Sequence, residues 1–145
     1  MADADGNFYS KYFTALLDMM KRAGIHIEPK KAYTRQFQIV YPWRGPIHIA
    51  VNVLKREIRV DITLKSDAAH DQYKRLEEDK LEIEEIIGQA LEWNEKPKRE
   101  RQIIWRLKNV DPTDKSDWDR QHAWLAARLI AFRLAFGPRI EAWGL

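Results

Sequence analysis

The chain of 145 residues contains no cysteine. That excludes a disulfide framework, a thiolate-bound zinc or iron–sulfur centre and a cysteine nucleophile, and it fits a reducing compartment. Glycine and proline are few, at six each. Neither GxGxxG nor GxxxxGKS/T occurs, so no glycine-rich phosphate cradle is present and a nucleotide-dependent enzyme is disfavoured. There is no GxSxG nucleophile elbow either. Long apolar runs are also missing: the most apolar stretch, Trp124 to Phe136, is broken by Arg128 and Arg133 and is too short to span a bilayer. The opening MADADGNFYSKYF carries early aspartates and no apolar signal core. A soluble, cytoplasmic protein without membrane association is expected. His26, His48, His70 and His122 fall in different segments, with no metal-ligand spacing between them. Neither a metal nor a cofactor is expected.

What is present is an ordinary supply of core and charge. The length suits one domain, residues 1–145, and the apolar share of 45% suffices for a core without staples. Charge is unevenly spread. Residues 1–66 carry +5, residues 67–95 carry −7, residues 96–110 carry +5, and the remainder is balanced. Such segregation either steers a polyanion to one surface or is neutralised by ion pairs between segments.

Apolar periodicity sets out the elements. A first helix is predicted from Phe8 to Ala23, capped by Asn7 and stopped by Gly24. Its aromatics, Phe8, Tyr9, Tyr12 and Phe13, have the spacing of core residues rather than of a binding platform. Three strands follow. In the first, Phe37, Ile39 and Tyr41 alternate with Gln36, Gln38 and Val40, and a loop with two prolines and a glycine closes it at Pro46. In the second, Ile47, Ile49, Val51 and Val53 alternate with His48, Ala50 and Asn52. Beyond a tight turn at Lys55-Arg56, Ile58, Val60, Ile62 and Leu64 alternate with Arg59, Asp61, Thr63 and Lys65. Such short connections imply antiparallel pairing. A second helix is predicted from Ser66 or Asp67 to Ile87, with an acidic outward face. Leu91 and Trp93 begin a short strand, Ile103, Trp105 and Leu107 mark another, and a last helix runs from Ser116 to Gly137-Pro138. The expected fold class is α+β: a mainly antiparallel sheet with three helices packed on one face, in the order α-β-β-β-α-(β)-β-α.

With the apolar sides of all strands under the helices, the opposite face would display Gln36, Gln38, His48, Asn52, Arg59, Asp61, Thr63, Arg106 and Lys108. Lys55, Arg56, Lys98, Arg99 and Arg101 add a basic rim, and Trp43 either stacks on a base or pins its loop. Cations neutralise phosphates, while amides and hydroxyls exchange hydrogen bonds with sugars and bases. Arg59, Arg106, Lys108, Lys98, Arg99, Arg101, Lys55, Arg56 and Trp43 are therefore candidate nucleic-acid contacts. The alternatives are a protein or dimer interface, and a solvated sheet face that needs no ligand.

A metal-dependent nuclease needs carboxylates that hold Mg²⁺ beside a lysine. Asp61 and Lys65 share a face of the third strand but stand four residues apart. Glu28-Pro29-Lys30 precedes the strands, and Glu78-Asp79-Lys80 falls on a helix. No set meets both spacing and context, and no catalytic residue is assigned.

From Ile58 onward, IRVDITL, KRLEEDKLEIEEIIG, LEWNEKPKRERQIIWRL and DPTDKSDWDRQHAWLAARLIAFRLAFGPRI follow one another. They read as a strand, an amphipathic helix, an L-x-W-x-x-x-P step into a basic strand, and a helix introduced by an acidic turn and a tryptophan. With Lys80, Ile83, Glu84, Gly88, Leu91, Trp93, Pro97, Arg101, Ile103, Asp114, Trp118, Trp124, Leu125, Phe132, Phe136 and Ile140 at the matching positions, this region resembles the bacterial and archaeal DUF4268 family. It departs at Arg101-Gln102-Ile103, which lacks a serine often found at that step. Family members are often attached to PD-(D/E)XK nuclease-like domains, so the resemblance implies a setting near DNA processing, restriction–modification or phage defence. It implies no catalytic set. The expected function is a non-catalytic DNA-associated or defence-related accessory module. Its expected partners are DNA, a nuclease-like protein or a second copy in a homodimer. A protein-interaction, regulatory or dimerisation module and a cryptic metal-dependent nuclease are the alternatives.

Overall fold

Three runs of alternating β-branched residues form the middle of a five-stranded sheet, seen in a computed structural model that describes residues 6–44, 46–95 and 100–145. The strands are β1 (Phe37–Trp43), β2 (Ile47–Val53), β3 (Glu57–Leu64), β4 (Glu92–Glu95) and β5 (Arg101–Lys108). They lie in the order β1-β2-β3-β5-β4, and every neighbouring pair is antiparallel. The helices are α1 (Gly6–Arg22), α2 (Ala69–Glu78), α3 (Lys80–Ile87) and α4 (Trp118–Glu141), the last preceded by a 3-10 turn.

Register explains which residues enter the core. Val51 faces Val60, Val60 faces Trp105, and Ile62 faces Ile103. Residues directly opposite one another share a face, so these form one inner layer. Ile58, Val60, Ile62 and Ile103 are fully buried there, with Trp105 half-buried. Helix α4 lies over β1, β2 and β3 and α2 over β3 and β5, while α1 and α3 pack on α4. From α4, Leu125, Leu129, Phe132 and Phe136 are fully buried, and each contributes roughly 1.5–3 kcal/mol by leaving water. A buried hydrogen bond of 2.7 Å from the Tyr12 hydroxyl to Gln121 Oε1 fixes α1 against α4. Tyr12 and Phe13 are core residues, as their spacing predicts.

Three expectations need correction. The predicted second helix is two helices, so there are four rather than three, and of these α4 and α2 meet the sheet while α1 and α3 pack on α4. The break is at Asp79, whose backbone N–H reaches back only to Leu76 O and Glu77 O, and no proline or glycine marks it. Arg139 of α4 binds across it, to Asp79 Oδ2 at 3.0 Å and Glu82 Oε2 at 2.9 Å. The last helix does not end at Gly137-Pro138 but continues to Glu141 with Pro138 inside it. A proline so near the C-terminus removes one ladder bond, and Ala142 N–H still reaches Pro138 O at 3.1 Å.

The third correction shapes the candidate site. Ile39 and Tyr41 pair with the consecutive residues Ala50 and Ile49, so Val40 is the extra residue of a β-bulge. The bulge inverts the first half of β1. Phe37 and Ile39 share the outer face with Asn52 and Ala50, whereas Gln38 lies opposite Val51 on the inner side and is 0% exposed.

Candidate functional site

The two strands that carry the predicted basic face do converge. Arg59 lies opposite Arg106, and Glu57 opposite Lys108. Of these cations Arg106 has its charge spent within the face, whereas Arg59 and Lys108 have no ion pair among the described residues. Arg106 donates from Nη1 to Glu57 Oε2 at 2.8 Å, and from Nε and Nη2 to Glu92 Oε2 at 2.8 and 2.6 Å. Lys55, Arg56 and Lys108 are exposed at one end of the sheet, and Arg59 is half-buried nearby. Arg101 lies opposite Leu64 on the inner side, with Nε 3.5 Å from Glu95 Oε2. Trp43 faces Ile47 on the inner side, half-buried, with Cζ2 3.8 Å from where a Cβ on Gly137 would sit. It packs under α4 rather than offering its ring to a base. Lys98 and Arg99 lie outside the described residues.

At the centre of the outer face sits Asp61, 1% exposed. Asn52 Nδ2 donates to its Oδ2 at 2.6 Å and Thr63 Oγ1 to its Oδ1 at 3.0 Å, while Gln102 Nε2 donates to Thr63 Oγ1 at 3.4 Å. Burial pushes the Asp61 carboxyl up to about 6, against the pull of these bonds and of Arg59. Lys65 does not serve it but leans toward Glu100, 3.7 Å away. Among the described residues, no three His, Asp or Glu side chains gather as a metal set.

A second surface went unnoticed in the sequence. Residues 25–36 have almost no regular structure, yet they are tied to the end of α1 and along the open edge of β1. Ile25 N–H bonds Met20 O at 2.9 Å, Glu28 N–H bonds Val40 O at 3.3 Å, and the Tyr41 hydroxyl donates to His26 O at 2.7 Å. The inward-turned Gln38 supplies the next tie, its Oε1 accepting from Tyr33 N–H at 2.6 Å. The bulge thus turns a polar side chain into a latch for the neighbouring segment, which also covers a sheet edge.

Between this segment and α1 opens a cleft of about 800 Å³. Lys21 from the end of α1 and Lys30, Lys31 and Arg35 from the segment line it, with Ser10, Thr14 and Tyr33 supplying hydroxyls. Asp18 is the one acid among the described residues lining it. All four cations are exposed, and none has an ion-pair partner among the described residues. The Arg35 guanidinium lies 4.6 Å from the Phe37 ring centre and 5.6 Å from that of Tyr33, and the two rings meet edge to face at 5.8 Å. The available signal was the run Lys30-Lys31-Ala32-Tyr33-Thr34-Arg35, which interleaves cations with an aromatic between two predicted elements.

No curated protein and no solved structure matches the chain. No helix among the described residues is long and apolar enough to cross a membrane. A family model described as a domain of unknown function, DUF4268, matches residues 8–140. That span takes in α1, the cleft segment and β1 as well as the C-terminal stretches that first suggested the resemblance, and the chain belongs to the DUF4268 family.

Proposed function

We propose that this domain is a non-catalytic, DNA-associated accessory module whose nucleic-acid contact is the cleft between α1 and residues 25–36. The observation that supports the reading is the gathering of four exposed, unpaired cations beside hydroxyl groups. A phosphate backbone is bound chiefly by cations free to displace its counterions, and a cation already held by carboxylates gains less from the exchange. The cleft meets that requirement better than the outer face, where Arg106 is held by two glutamates. The family resemblance adds the setting, beside nuclease-like proteins in DNA processing or defence.

The test is fluorescence anisotropy of a labelled oligonucleotide against the purified chain. Binding should appear at low salt and weaken steadily from about 50 to 200 mM. Reversing charge in the cleft with Lys30→Glu and Lys31→Glu should remove most of it. A chain that binds no nucleic acid at low salt contradicts the reading.

One observation favours a protein-interaction or dimerisation role for the outer face. Apart from Arg59, whose buried Nε has no hydrogen-bond partner, its central polar groups satisfy one another, through Asn52–Asp61–Thr63–Gln102 and Glu57–Arg106–Glu92, and Ala50 and Ile104 lie among them. Such a face gives up water with few bonds left unmade. Sedimentation equilibrium tests this second reading: a dimer dissociated by Ile39→Glu supports it, and a monomer at all concentrations opposes it.

A further inference from the structure

We propose that the nucleic acid taken by this cleft is single-stranded, an inference that rests on the preceding reading of the cleft. Cations alone do not distinguish a single strand from a duplex, since both present phosphates. The distinction lies in Tyr33, Arg35 and Phe37 at the cleft's β1 side. Their rings and guanidinium form one contact group, with Arg35 4.6 Å from the centre of Phe37. Arg35 and Tyr33 also line the cleft itself. Phosphates at Lys30 and Lys31 therefore have aromatic and guanidinium planes next to them.

Unpaired bases offer their π-faces to such planes, and stacking of this kind accompanies charged grooves wherever single strands are bound without strong sequence preference. A duplex keeps its bases stacked on each other and has nothing to place on Tyr33. Size points the same way. A cleft of about 800 Å³ has the volume of a site for a drug-sized molecule, which suits one or two nucleotides and not the width of a double helix. The latch from Gln38 Oε1 to Tyr33 N–H holds the backbone of this platform before any ligand arrives, so less freedom is lost on binding. An acidic peptide would engage the lysines but would leave the planes unused.

The experiment compares labelled oligothymidylate, oligouridylate and a duplex of equal length by anisotropy at low salt, using the full chain. Single strands should bind at least about fivefold more tightly than the duplex. Tyr33→Ala should lower single-strand affinity by a similar factor while moving duplex affinity less than about twofold. Phe37→Leu, which keeps an apolar side chain at β1, should act in the same direction without threatening the fold. A preference between the two single strands shows which of them the site takes, and either preference supports the inference. Equal affinities for single strands and duplex, unmoved by both variants, overturn it while leaving the cleft a backbone-binding site. Displacement of the strand by polyglutamate as readily as by unlabelled strand overturns it as well. Absence of binding to all three nucleic acids overturns the underlying reading too.

Discussion

The outer face of the sheet and the cleft beside α1 both gather Lys and Arg, but the centre of the face and the cleft handle charge in opposite ways. On the outer face Arg106 is gripped by Glu57 and Glu92, and Asp61 is enclosed by Asn52 and Thr63. In the cleft Lys21, Lys30, Lys31 and Arg35 stand exposed, with Asp18 the one described acid at its wall. The comparison teaches that a count of cations along a strand does not locate a polyanion site. What matters is whether the fold has already given each cation a carboxylate.

The largest expected effect comes from breaking the cleft side of this contrast. Lys30→Glu combined with Lys31→Glu should weaken oligonucleotide binding about thirtyfold, near 2 kcal/mol, at low salt. Thermal unfolding should stay close to that of the parent chain, because both side chains are exposed and without ion pairs among the described residues.

Next in size is Asp61→Asn, which probes the closed side. Asp61 binds its proton more tightly folded, at about 6, than unfolded, at about 3.9. Below the lower value both states are protonated and the group costs nothing. As pH rises from about 4 to about 6 the unfolded state ionises first, so stability falls, and the loss is complete above that window. Asparagine removes the ionisation and keeps hydrogen-bonding atoms facing Asn52 and Thr63. The variant should be more stable by about 1–2 kcal/mol at pH 8 and no more stable near pH 4. Urea midpoints at the two pH values would check it; an equal difference at both would remove the buried carboxylate from the account.

Arg106→Ala sharpens the comparison further. It leaves Glu57 and Glu92 without their shared cation at a half-exposed position, at a cost of about 1 kcal/mol in urea unfolding. Nucleic-acid affinity should change by less than about twofold. A larger loss of affinity than from the cleft variants would reverse the assignment. The smallest effect is expected from Lys108→Ala, exposed at the end of β5 opposite Glu57. Both stability and binding should stay within error of the parent.

Much of the fold was legible because β2, β3 and β5 alternate without interruption, and a period of two admits one assignment of faces. The basic residues of β3 and β5 could be put on one face on that ground, though not as neighbours, and Ile58, Val60 and Ile103 proved buried as their pattern requires. The parity of β1 was not legible. Its apolar residues alternate as well as those of β2, yet the one added residue at Val40 exchanges the faces of Phe37 and Gln38, and a bulge has no compositional mark here. The break at Asp79 was hidden for the same reason, since Ala69, Tyr73, Leu76, Ile83 and Ile87 suit one continuous helix.

The cleft was harder still. Residues 25–36 have no period, and their placement depends on contacts with Met20, Val40, Tyr41 and Gln38 that only the folded chain brings together. The pairing of Arg106 was equally out of reach. It requires β4 to sit next to β5, which is what carries Glu92 to the guanidinium.

The central claim is that free cations gathered in one cleft beside hydroxyls and an aromatic plane, not the number of cations, mark the contact surface. Backbone amide chemical-shift mapping during titration with a single-stranded oligothymidylate tests it most directly. The account predicts shifts concentrated between Ser10 and Phe37, with the amides of Arg59, Arg106 and Lys108 unmoved. Shifts centred on β3 and β5, with Lys30, Lys31 and Tyr33 silent, would contradict it.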